Sequence, residues 1–488
     1  MEQIIGTFGA VNWLVLVLFL AGTTLVGHLT RGKTTSMHGF FLGGRNIPWW
    51  AVSASIVATQ TSTLTFIAVP AVVFKAGGNL TFHQMTYGIL IGNVLMALVF
   101  VKSYYESEYY SPYDFIGARL DERISHLARA LFVVGAILMQ SVRLLSTALI
   151  LSVVTVLPVG ICIGIIGVFA VVWTLMGGIT TVIWTDVVQF FVFVSGGLFA
   201  VAWMLHLIPG GIADILAIAD RHAKLALFNL STDPRASYTL WVGIVGFSVL
   251  QFSMDAVDQV STQRILCCKN ARDAQKAVVF SSLGGISFVM MLTVGLLLAV
   301  FYDVFPLPVE TAARIAGEPD RIFPYFIVHN LPVGISGMII AALFAAGIST
   351  LDSALAALTQ TVVTGFYRPF VHPGGSERHY LAASKIGVVL FSVVLSGLAF
   401  MFHLLPNEGL LNLGLMVPGY VFGALLGISI LALFRKGTFP VVLIAAACSV
   451  MLVLVLQRAG VYSLWWYPAG AVTVVGIVLV VEWSRGSR

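Results

Sequence analysis

One apolar stretch of the chain carries an unusual concentration of hydroxyl and amide side chains. They fall between Trp50 and Phe74, and they are Ser53, Ser55, Thr59, Gln60, Thr61, Ser62, Thr63 and Thr65. Two or three such residues would merely bond back to carbonyls of their own helix, but eight within thirteen positions favour a helix interrupted inside the protein or along a wet cavity. Hydroxyl and bare carbonyl oxygens are the hard ligands that an alkali cation prefers, so this stretch predicts half of a cation site.

A second polar cluster lies far along the chain, at Ala345 to Ser353. Ser349 and Thr350 supply hydroxyls there, and the small residues beside them permit close approach of a neighbouring helix. Tight packing alone explains this composition equally well. If the two clusters meet, their carbonyls and hydroxyls form the kind of site in which broken helices hold sodium near the middle of a bilayer.

Three charged residues lie inside apolar sequence. Placing a charged side chain in the middle of a membrane costs a few kcal/mol, so each of them is expected to have a partner or a function. The planar fork of Arg143 suits a carboxylate, which belongs either to a bound solute or to a resident acid. Asp186 and Asp352, with Ser353, indicate a second cation site or a proton-carrying acid. For Asp186 alone, a structural role as an interfacial anchor is equally compatible with its position.

These residues belong to a chain with the composition of a membrane protein. Of 488 residues, 59% are hydrophobic and 10% charged, with a mean hydropathy of +0.98, whereas soluble domains contain roughly 25% charged residues. Windows of about 19 residues predict thirteen spans, near 11–28, 48–75, 81–101, 126–157, 159–176, 182–207, 238–261, 278–304, 332–366, 381–403, 409–434, 438–457 and 463–482. We therefore expect an all-α polytopic membrane protein without a soluble domain.

Loop charges predict the orientation. With the N-terminus outside and the C-terminus inside, 18 of the 26 Lys and Arg residues lie in inside loops, 7 lie outside, and Arg143 lies within a span. This split follows the positive-inside rule. The external connections near 206–237 and 303–333 include the amphipathic stretch from Ile212 to Leu225, a candidate surface helix.

Several function classes are disfavoured by the same sequence. The basic residues are scattered rather than clustered, so nucleic acid is not an expected partner. The four cysteines lack the spacing of a zinc site or a disulfide framework. We find no convergent nucleophile and base, and no HExxH-like spacing, so the protein is not expected to be an enzyme. A channel would need a continuous polar stripe, whereas the polarity here is confined to two patches.

Taken together, these residues resemble the sodium/solute symporters, a family that includes sodium/glucose, proline, pantothenate, iodide and sialic acid transporters. The resemblance rests on motifs distributed along most of the chain, namely Gly43-Gly44-Arg45, Gly177-Gly178, Trp184 to Gln189, Asp258-Gln259 with Gln263-Arg264, and Ala345 to Ser353. It implies a LeuT-type core of five plus five helices in inverted repeat within a single transmembrane domain, 1–488. The leading helix would be 11–28, the repeats 48–207 and 238–434, and two additional helices would follow at 438–482.

The resemblance also implies site residues. A sodium site would use the carbonyls of Ala58, Thr61 and Ala346 with the hydroxyls of Ser349 and Thr350. Substrate contacts in the sialic acid branch would fall on Gln60, Ser62, Thr65, Gln84 and Arg143. An additional sodium site would map to Asp186 and Ser353, but Asp352 stands where that branch has a hydroxyl, so a second cation site is left open.

The implied function is sodium-coupled import of a small organic solute by alternating access, in the cell membrane, which we expect to be a bacterial inner membrane. Arg143 favours a carboxylated solute such as a sialic acid. Proline, pantothenate, monocarboxylates, sugars and a non-transporting solute sensor remain alternatives. The expected partners are Na⁺ as the coupling ion, the solute and the lipid bilayer, with no cofactor.

Overall fold

The computed structural model describes residues 8–29, 43–107, 109, 111–175, 179–405 and 409–486. The loop containing Arg31 and Lys33, and the pair Gly177-Gly178 that contributes to the resemblance, lie outside these residues. Throughout the described ranges the structure is helical, and its one β feature is an isolated bridge between Ile47 and Cys268. The predicted all-α class is confirmed.

Twenty-one helices of seven or more residues are named here in chain order. They are α1 (Ala10–Leu29), α2 (Trp49–Gln60), α3 (Thr63–Phe74), α4 (Met85–Val99), α5 (Pro112–Arg119), α6 (Glu122–Thr155), α7 (Val159–Thr174), α8 (Ile179–Leu207), α9 (Ile212–Arg221), α10 (Ser248–Val257), α11 (Gln259–Ile265), α12 (Ala271–Ser281), α13 (Gly284–Val304), α14 (Val309–Gly317), α15 (Ile322–Asn330), α16 (Ile335–Val362), α17 (Glu377–Leu404), α18 (Leu410–Met416), α19 (Phe422–Phe434), α20 (Phe439–Arg458) and α21 (Trp466–Gly486). A π-helix at Val242–Phe247 leads into α10, and another at Val363–Val371 continues α16.

The apolar helices coincide with the predicted spans. Among the described residues, eight helices are long and apolar enough to cross a membrane, two bent pairs pass the same criterion as broken spans, and three shorter apolar helices remain. The bent pairs are α2 with α3 and Leu410–Tyr420 with α19. The number of crossings and the sides on which the termini lie stay predictions.

The interruption predicted in the first polar stretch is confirmed. Helix α2 ends at Gln60 and α3 begins at Thr63, with a bend of 54° between them. Thr61 (φ −87°, ψ 64°) and Ser62 (φ −81°, ψ −178°) leave the helical region. Such a break exposes backbone groups that must find partners, so it is tolerated only where protein or water surrounds it.

Small residues bring neighbouring helices against the two halves of this broken span. A Cβ added at Gly295 of α13 would stand 2.5 Å from the carbonyl oxygen of Pro70, in α3. A Cβ at Gly347 of α16 would stand 2.4 Å from the Thr147 hydroxyl and 2.9 Å from that of Thr63. The close approach expected from the second cluster is therefore present, and it places α16 beside the break.

A third interruption, at Asp258, was not predicted. The span 238–261 was expected to be one helix, but α10 ends at Val257, and Asp258 adopts an extended conformation (φ −79°, ψ 120°) before α11. Tyr104 donates to the carbonyl of Ala256 (2.6 Å) and Tyr113 to that of Val257 (2.8 Å). These hydroxyls satisfy the carbonyls that the break leaves without helical partners. The break therefore forms without a glycine or proline that would have indicated it in the sequence.

The remaining helices flank this core. Asn12 of α1 accepts the backbone N–H of Gly334 (2.7 Å) just before α16, against which α1 packs. Helix α21 packs against α19 and α20. The predicted surface helix is confirmed as α9, which buries Ile215 and Ala219.

Candidate functional site

A cavity of about 100 Å³ lies beside the break between α2 and α3. Its polar lining includes Gln60, Thr61, Ser62 and Thr65 from the break and Arg143 from α6. Apolar side chains complete it, namely Leu64, Phe82, Ile89, Met139, Phe247, Leu250, Met254, Phe288, Leu411, Leu415 and Pro418. An enclosed apolar space with a few convergent polar groups is the usual form of a small-molecule site, and we call it the central cavity.

Arg143 supplies the positive charge of the central cavity. No carboxylate oxygen of the described residues lies within 4.0 Å of its guanidinium, and its Nε is a buried donor without a hydrogen-bond partner. The charge of Asp258 acts on it from a greater distance, and the Asp258 carboxylate itself caps α11 by accepting the Val260 N–H (2.7 Å). Arg143 thus has no ion pair with an acid among the described residues, so its guanidinium is available to an anion in the cavity.

The oxygens of the predicted sodium site lie on two helices that touch. Among the described residues, no donor bonds the carbonyl of Ala58 or Thr61 at the break, and the Thr61 hydroxyl is a buried oxygen without a partner. Thr63 donates to the carbonyl of Leu343 (3.1 Å), which fastens the start of α3 to α16 one turn before Ala346. Unpaired oxygens at a helix break fit the requirements of a monovalent cation.

The hydroxyls of this set are oriented by hydrogen bonds in which they donate. Ser349 donates to Asp186 Oδ1 (2.7 Å) and Thr350 donates to the carbonyl of Ala346 (2.8 Å). A hydroxyl that donates its hydrogen bond to another group still has its oxygen lone pairs available to a cation. Ser55, one turn before Ala58, donates to the other oxygen of the same carboxylate (2.6 Å), so Asp186 joins α2 to α16 at this level.

Asp186 is also half of an ion pair that sequence reasoning missed. Arg264 of α11 approaches its Oδ2 to 3.1 Å, and the two side chains are 1% and 4% exposed. Arg264 further donates to Ser55 (2.9 Å), to Ser353 (3.0 Å) and to the carbonyl of Val260 (2.9 Å). The sequence identifies Gln263-Arg264 only as a family motif. Because Arg264 follows the end of the predicted span 238–261, its contact with an acid in α8 was not expected.

Two of the three residues suggested for a second cation site, Asp186 and Ser353, are already bound to a cation of the protein itself, the Arg264 guanidinium. Ser353 accepts from Arg264 and donates to the carbonyl of Ser349 (3.0 Å). Asp352, which is 5% exposed, interacts with Thr174 and lies where the charges of Asp186 and Arg264 reach it. A second metal ion here would stand beside a guanidinium, which opposes its binding.

Gln84 does not line the central cavity. Its side chain is fully buried, and its amide nitrogen donates to the carbonyls of Thr81 (3.1 Å) and Tyr238 (2.7 Å). These bonds fix it between a short helical turn and the segment that enters the π-helix. The placement does not support the predicted solute contact, because the two carbonyls hold the Gln84 amide away from the cavity.

A larger cavity of about 510 Å³ adjoins the central one at Leu411 in the first turn of α18. We call it the outer cavity, because its ionisable residues lie in connections or at span ends that are predicted to be external. They are Lys75 at the end of α3, Glu318, Asp320 and Arg321, and His403. Arg321 pairs with Glu318, while no acid of the described residues pairs with Lys75.

Asp320 links this cavity to α18. Its Oδ2 accepts the backbone N–H of Leu410 (3.0 Å) at the first turn of that helix. The carboxylate is 8% exposed, and burial raises the pKa of Asp320 to about 6, although the Leu410 N–H and the charge of Lys75 act in the opposite direction. An acid outside the membrane-spanning helices thus titrates next to the helix that separates the two cavities.

A polytopic helical bundle with a broken span, bare oxygens at the break and a charged central cavity defines a secondary transporter. Residues 40–439 match the sodium:solute symporter family, and the chain belongs to this family. It is 28% identical over 473 residues to the human sodium/iodide cotransporter (95% of this chain, 70% of the relative). It is 27% identical to the human sodium-coupled monocarboxylate transporter 1 (94% and 74%) and 26% identical to the sodium/sialic acid symporter SiaT of Proteus mirabilis (88% and 86%).

Solved structures confirm the fold. The substrate-bound, outward-open state of a Na⁺-coupled sialic acid symporter superposes with a TM-score of 0.85 at 24% identity, covering 97% of each chain. The nucleobase-cation symporter Mhp1 in a closed conformation gives 0.55 at 16% identity, over 91% of this chain and 94% of that one. The chain spans 63% of the length of the bovine sodium-coupled monocarboxylate transporter 2.

Proposed function

We propose that this protein imports a small carboxylated organic solute, such as a sialic acid, by sodium-coupled secondary active symport. The observation that carries the proposal is the guanidinium of Arg143, which lies in the central cavity without an acid partner among the described residues and beside the break that holds the cation ligands. Arg143 takes the solute carboxylate in a bidentate fashion. Gln60, Ser62 and Thr65 supply the other polar contacts.

Sodium would be held by the carbonyls of Ala58, Thr61 and Ala346 and the hydroxyls of Ser349 and Thr350. Binding there would tie α2 and the start of α3 to α16 and so fix the backbone that forms one wall of the central cavity. Because both cargoes depend on the same short break, each favours binding of the other, which is the coupling that symport requires. Alternating access then follows from movement of one group of helices against the other around this site.

The geometry favours one sodium ion per cycle, because Arg264 already neutralises Asp186 in the set proposed for a second. Moving one charge across 100 mV is worth about 2.3 kcal/mol. A single sodium with a monovalent anion therefore moves no net charge, and the sodium concentration gradient alone would drive uptake. The homology to SiaT supports a sialic acid as the first solute to test, and the domain division into repeats 48–207 and 238–434 is part of the same proposal.

The proposal is tested with purified protein in liposomes. Uptake of labelled N-acetylneuraminate, proline, pantothenate and lactate is measured with an inward sodium gradient and with potassium in its place. We expect saturable uptake of a carboxylate in sodium and none in potassium. Counterflow in preloaded liposomes separates transport from sensing, because a sensor would bind solute without exchanging it. Uptake that is equal in sodium and potassium would contradict the proposal.

A further inference from the structure

A fully buried carboxylate beside the central cavity has no role in the function proposed so far. Asp255 lies in α10 with 0% of its surface exposed, and no Lys, Arg or His nitrogen of the described residues lies within 4.0 Å of it. An acid at membrane depth without a basic partner is costly and marks a function more often than not. It also lies in the predicted span 238–261, where the same cost argument applied to Arg143 would have identified it.

Two glutamines solvate this carboxylate. Gln60 donates from Nε2 to Oδ1 (3.0 Å) and Gln251 donates from Nε2 to Oδ2 (2.9 Å). Gln251 also donates to Asn93 Oδ1 (2.9 Å), and Asn93 in turn donates to Ser281 (3.0 Å) and Ser282 (3.1 Å). Every amide in this chain of hydrogen bonds therefore has a fixed direction.

The direction follows from the chemistry of the carboxylate. Both glutamines turn their NH₂ groups toward Asp255, which is the arrangement that a carboxylate accepting through both oxygens requires, and their carbonyl oxygens therefore face away from it. Both Gln60 and Gln251 line the central cavity. No hydrogen bond from a described residue reaches the Oε1 atom of Gln60 or Gln251. Asp255 thus makes this side of the cavity a surface of acceptors.

The opposite chemistry is supplied by Arg143, which only donates. We infer that the solute is a carboxylate that also carries a hydrogen-bond donor, a hydroxyl or an ammonium group, with Arg143 taking the carboxylate and the carbonyl oxygens of Gln60 and Gln251 taking the donor. The inference rests on the proposed function and narrows its substrate class. Asp255 acts through the two glutamines, so it is a positioning residue that sets specificity. A solute without the donor leaves desolvated acceptors unpaired, which costs affinity.

Matched pairs of acids test this on the unmodified protein. Sodium-dependent binding is measured for lactate against propionate, proline against cyclopentanecarboxylate, and 1-hydroxycyclohexanecarboxylate against cyclohexanecarboxylate. The two members of each pair differ in one donor group. We expect the donor-bearing member of any pair that binds to bind at least about tenfold more tightly. The proline pair against the two hydroxy-acid pairs distinguishes an ammonium from a hydroxyl. Equal affinity within the pairs would overturn the inference but leave sodium-coupled carboxylate transport intact.

A variant locates the effect at Asp255. Asp255→Asn keeps the shape but offers one acceptor and one donor, so one glutamine must reverse its amide and present N–H to the cavity. We expect the preference within a pair to fall by at least about fivefold while sodium-dependent binding of the plain acid persists, as hydrogen-bond discrimination is lost. Ser281→Ala is the matched control, because Asn93 keeps its bond to Ser282, and its preference should equal that of the parent.

Each remaining outcome also decides the question. An unchanged preference in a folded Asp255→Asn protein would remove Asp255 from specificity. If that variant does not fold, the matched pairs on the unmodified protein still confirm or overturn the substrate class. Binding of no carboxylate in sodium, in any pair or in the uptake assay, would remove the proposed function and this inference with it.

Discussion

Arg264 and Asp186 form an ion pair of 3.1 Å between α11 and α8, with both side chains almost fully buried. Hydrogen bonds to Ser55 and Ser353 satisfy the rest of the guanidinium, and hydrogen bonds from Ser55 and Ser349 satisfy the carboxylate. The pair therefore lies at the centre of a cluster that connects α2, α8, α11 and α16. Because Ser349, one of the hydroxyls proposed to bind sodium, donates to this carboxylate, we expect the proposed sodium site to depend on the ion pair.

Breaking this pair from one side should be strongly destabilising. Arg264→Met leaves an uncompensated buried carboxylate, for which the expected loss is about 3–5 kcal/mol in the free energy of unfolding. The double variant Arg264→Met with Asp186→Leu removes both charges and should recover a large part of that loss. Thermal unfolding of the purified proteins in detergent measures both. A double variant no more stable than the single one would show that the pairing is not the source of the effect.

The proposed sodium ligands are tested by removing one hydroxyl at a time. Ser349→Ala and Thr350→Ala should each raise the sodium concentration for half-maximal uptake by about tenfold, equivalent to about 1.4 kcal/mol, with little change in expression. Thr364→Ala is the matched control, because Thr364 makes the same type of bond to a carbonyl four residues earlier (Gln360, 2.7 Å) from an exposed position. Sodium dependence that is unchanged in both test variants would count against this site.

The carboxylate recognition is tested by Arg143→Lys. Lysine keeps the charge but loses the planar fork, so a bidentate bond becomes a single one. We expect uptake of a carboxylated solute at low concentration to fall by at least about tenfold, mainly through a higher KM, while sodium binding measured by thermal stabilisation is retained. Equal transport by this variant would remove the reason for an acidic solute.

The pH dependence of stability should carry the signature of Asp320. Burial raises the pKa of this acid from 3.8 to about 6 in the folded protein, so the folded state binds more protons than the unfolded state between these values. Stability from this group is therefore present at low pH and is lost as the pH rises from about 4 to about 6, by up to roughly 3 kcal/mol.

Asp320→Asn should flatten this part of the profile of melting temperature against pH, because the amide does not titrate and its oxygen still accepts the Leu410 N–H. Asp233→Asn, at an exposed loop position, is the control and should keep the parent profile. The assignment would be contradicted if the melting temperature of the parent did not decrease between about pH 4 and 6, or if Asp320→Asn showed the same decrease.

Lys224 anchors the outer half of the broken span. Its side chain is 5% exposed, and its Nζ donates to the carbonyls of Val73 (2.7 Å), Phe74 (3.2 Å) and Lys75 (2.7 Å) at the C-terminal end of α3. Lys224→Met should lower stability by about 1–3 kcal/mol, since hydrogen bonds from a charged donor are lost at a helix C-terminus. Lys276→Met, at an exposed position, should be neutral in the same melting assay. A Lys224→Met protein as stable as the parent would exclude this anchoring role.

Much of the architecture could be predicted because the bilayer imposes long apolar segments. The thirteen predicted spans all coincide with described apolar helices, and the interruption near Thr61 was visible because hydroxyl residues accumulate where apolar ones are expected. The break at Asp258 was not visible. Its carbonyls are satisfied by Tyr104 and Tyr113, about 140 to 150 residues away in sequence, so no local pattern records it.

The candidate site shows the same division. Gln60 and Arg143 line the cavity, and both could be identified as candidate contacts because they are polar residues inside apolar spans. Partners could not, because Arg264 meets Asp186 and Asp255 meets Gln60 only after distant helices pack. Gln84 shows the opposite error, since a polar residue in the right helix turns toward backbone carbonyls of Thr81 and Tyr238.

The polar residues of the central cavity and the hydroxyls proposed for sodium share only the short break between α2 and α3. Arg143, Gln251 and Asp255 lie on α6 and α10, whereas Ser349 and Thr350 lie on α16. Mutations on α6 and α10 can therefore change the solute that is bound during evolution while the hydroxyls proposed to bind sodium are kept. This separation gives a physical reason why proteins named for iodide, monocarboxylates and sialic acid are recognisable as relatives of a single chain.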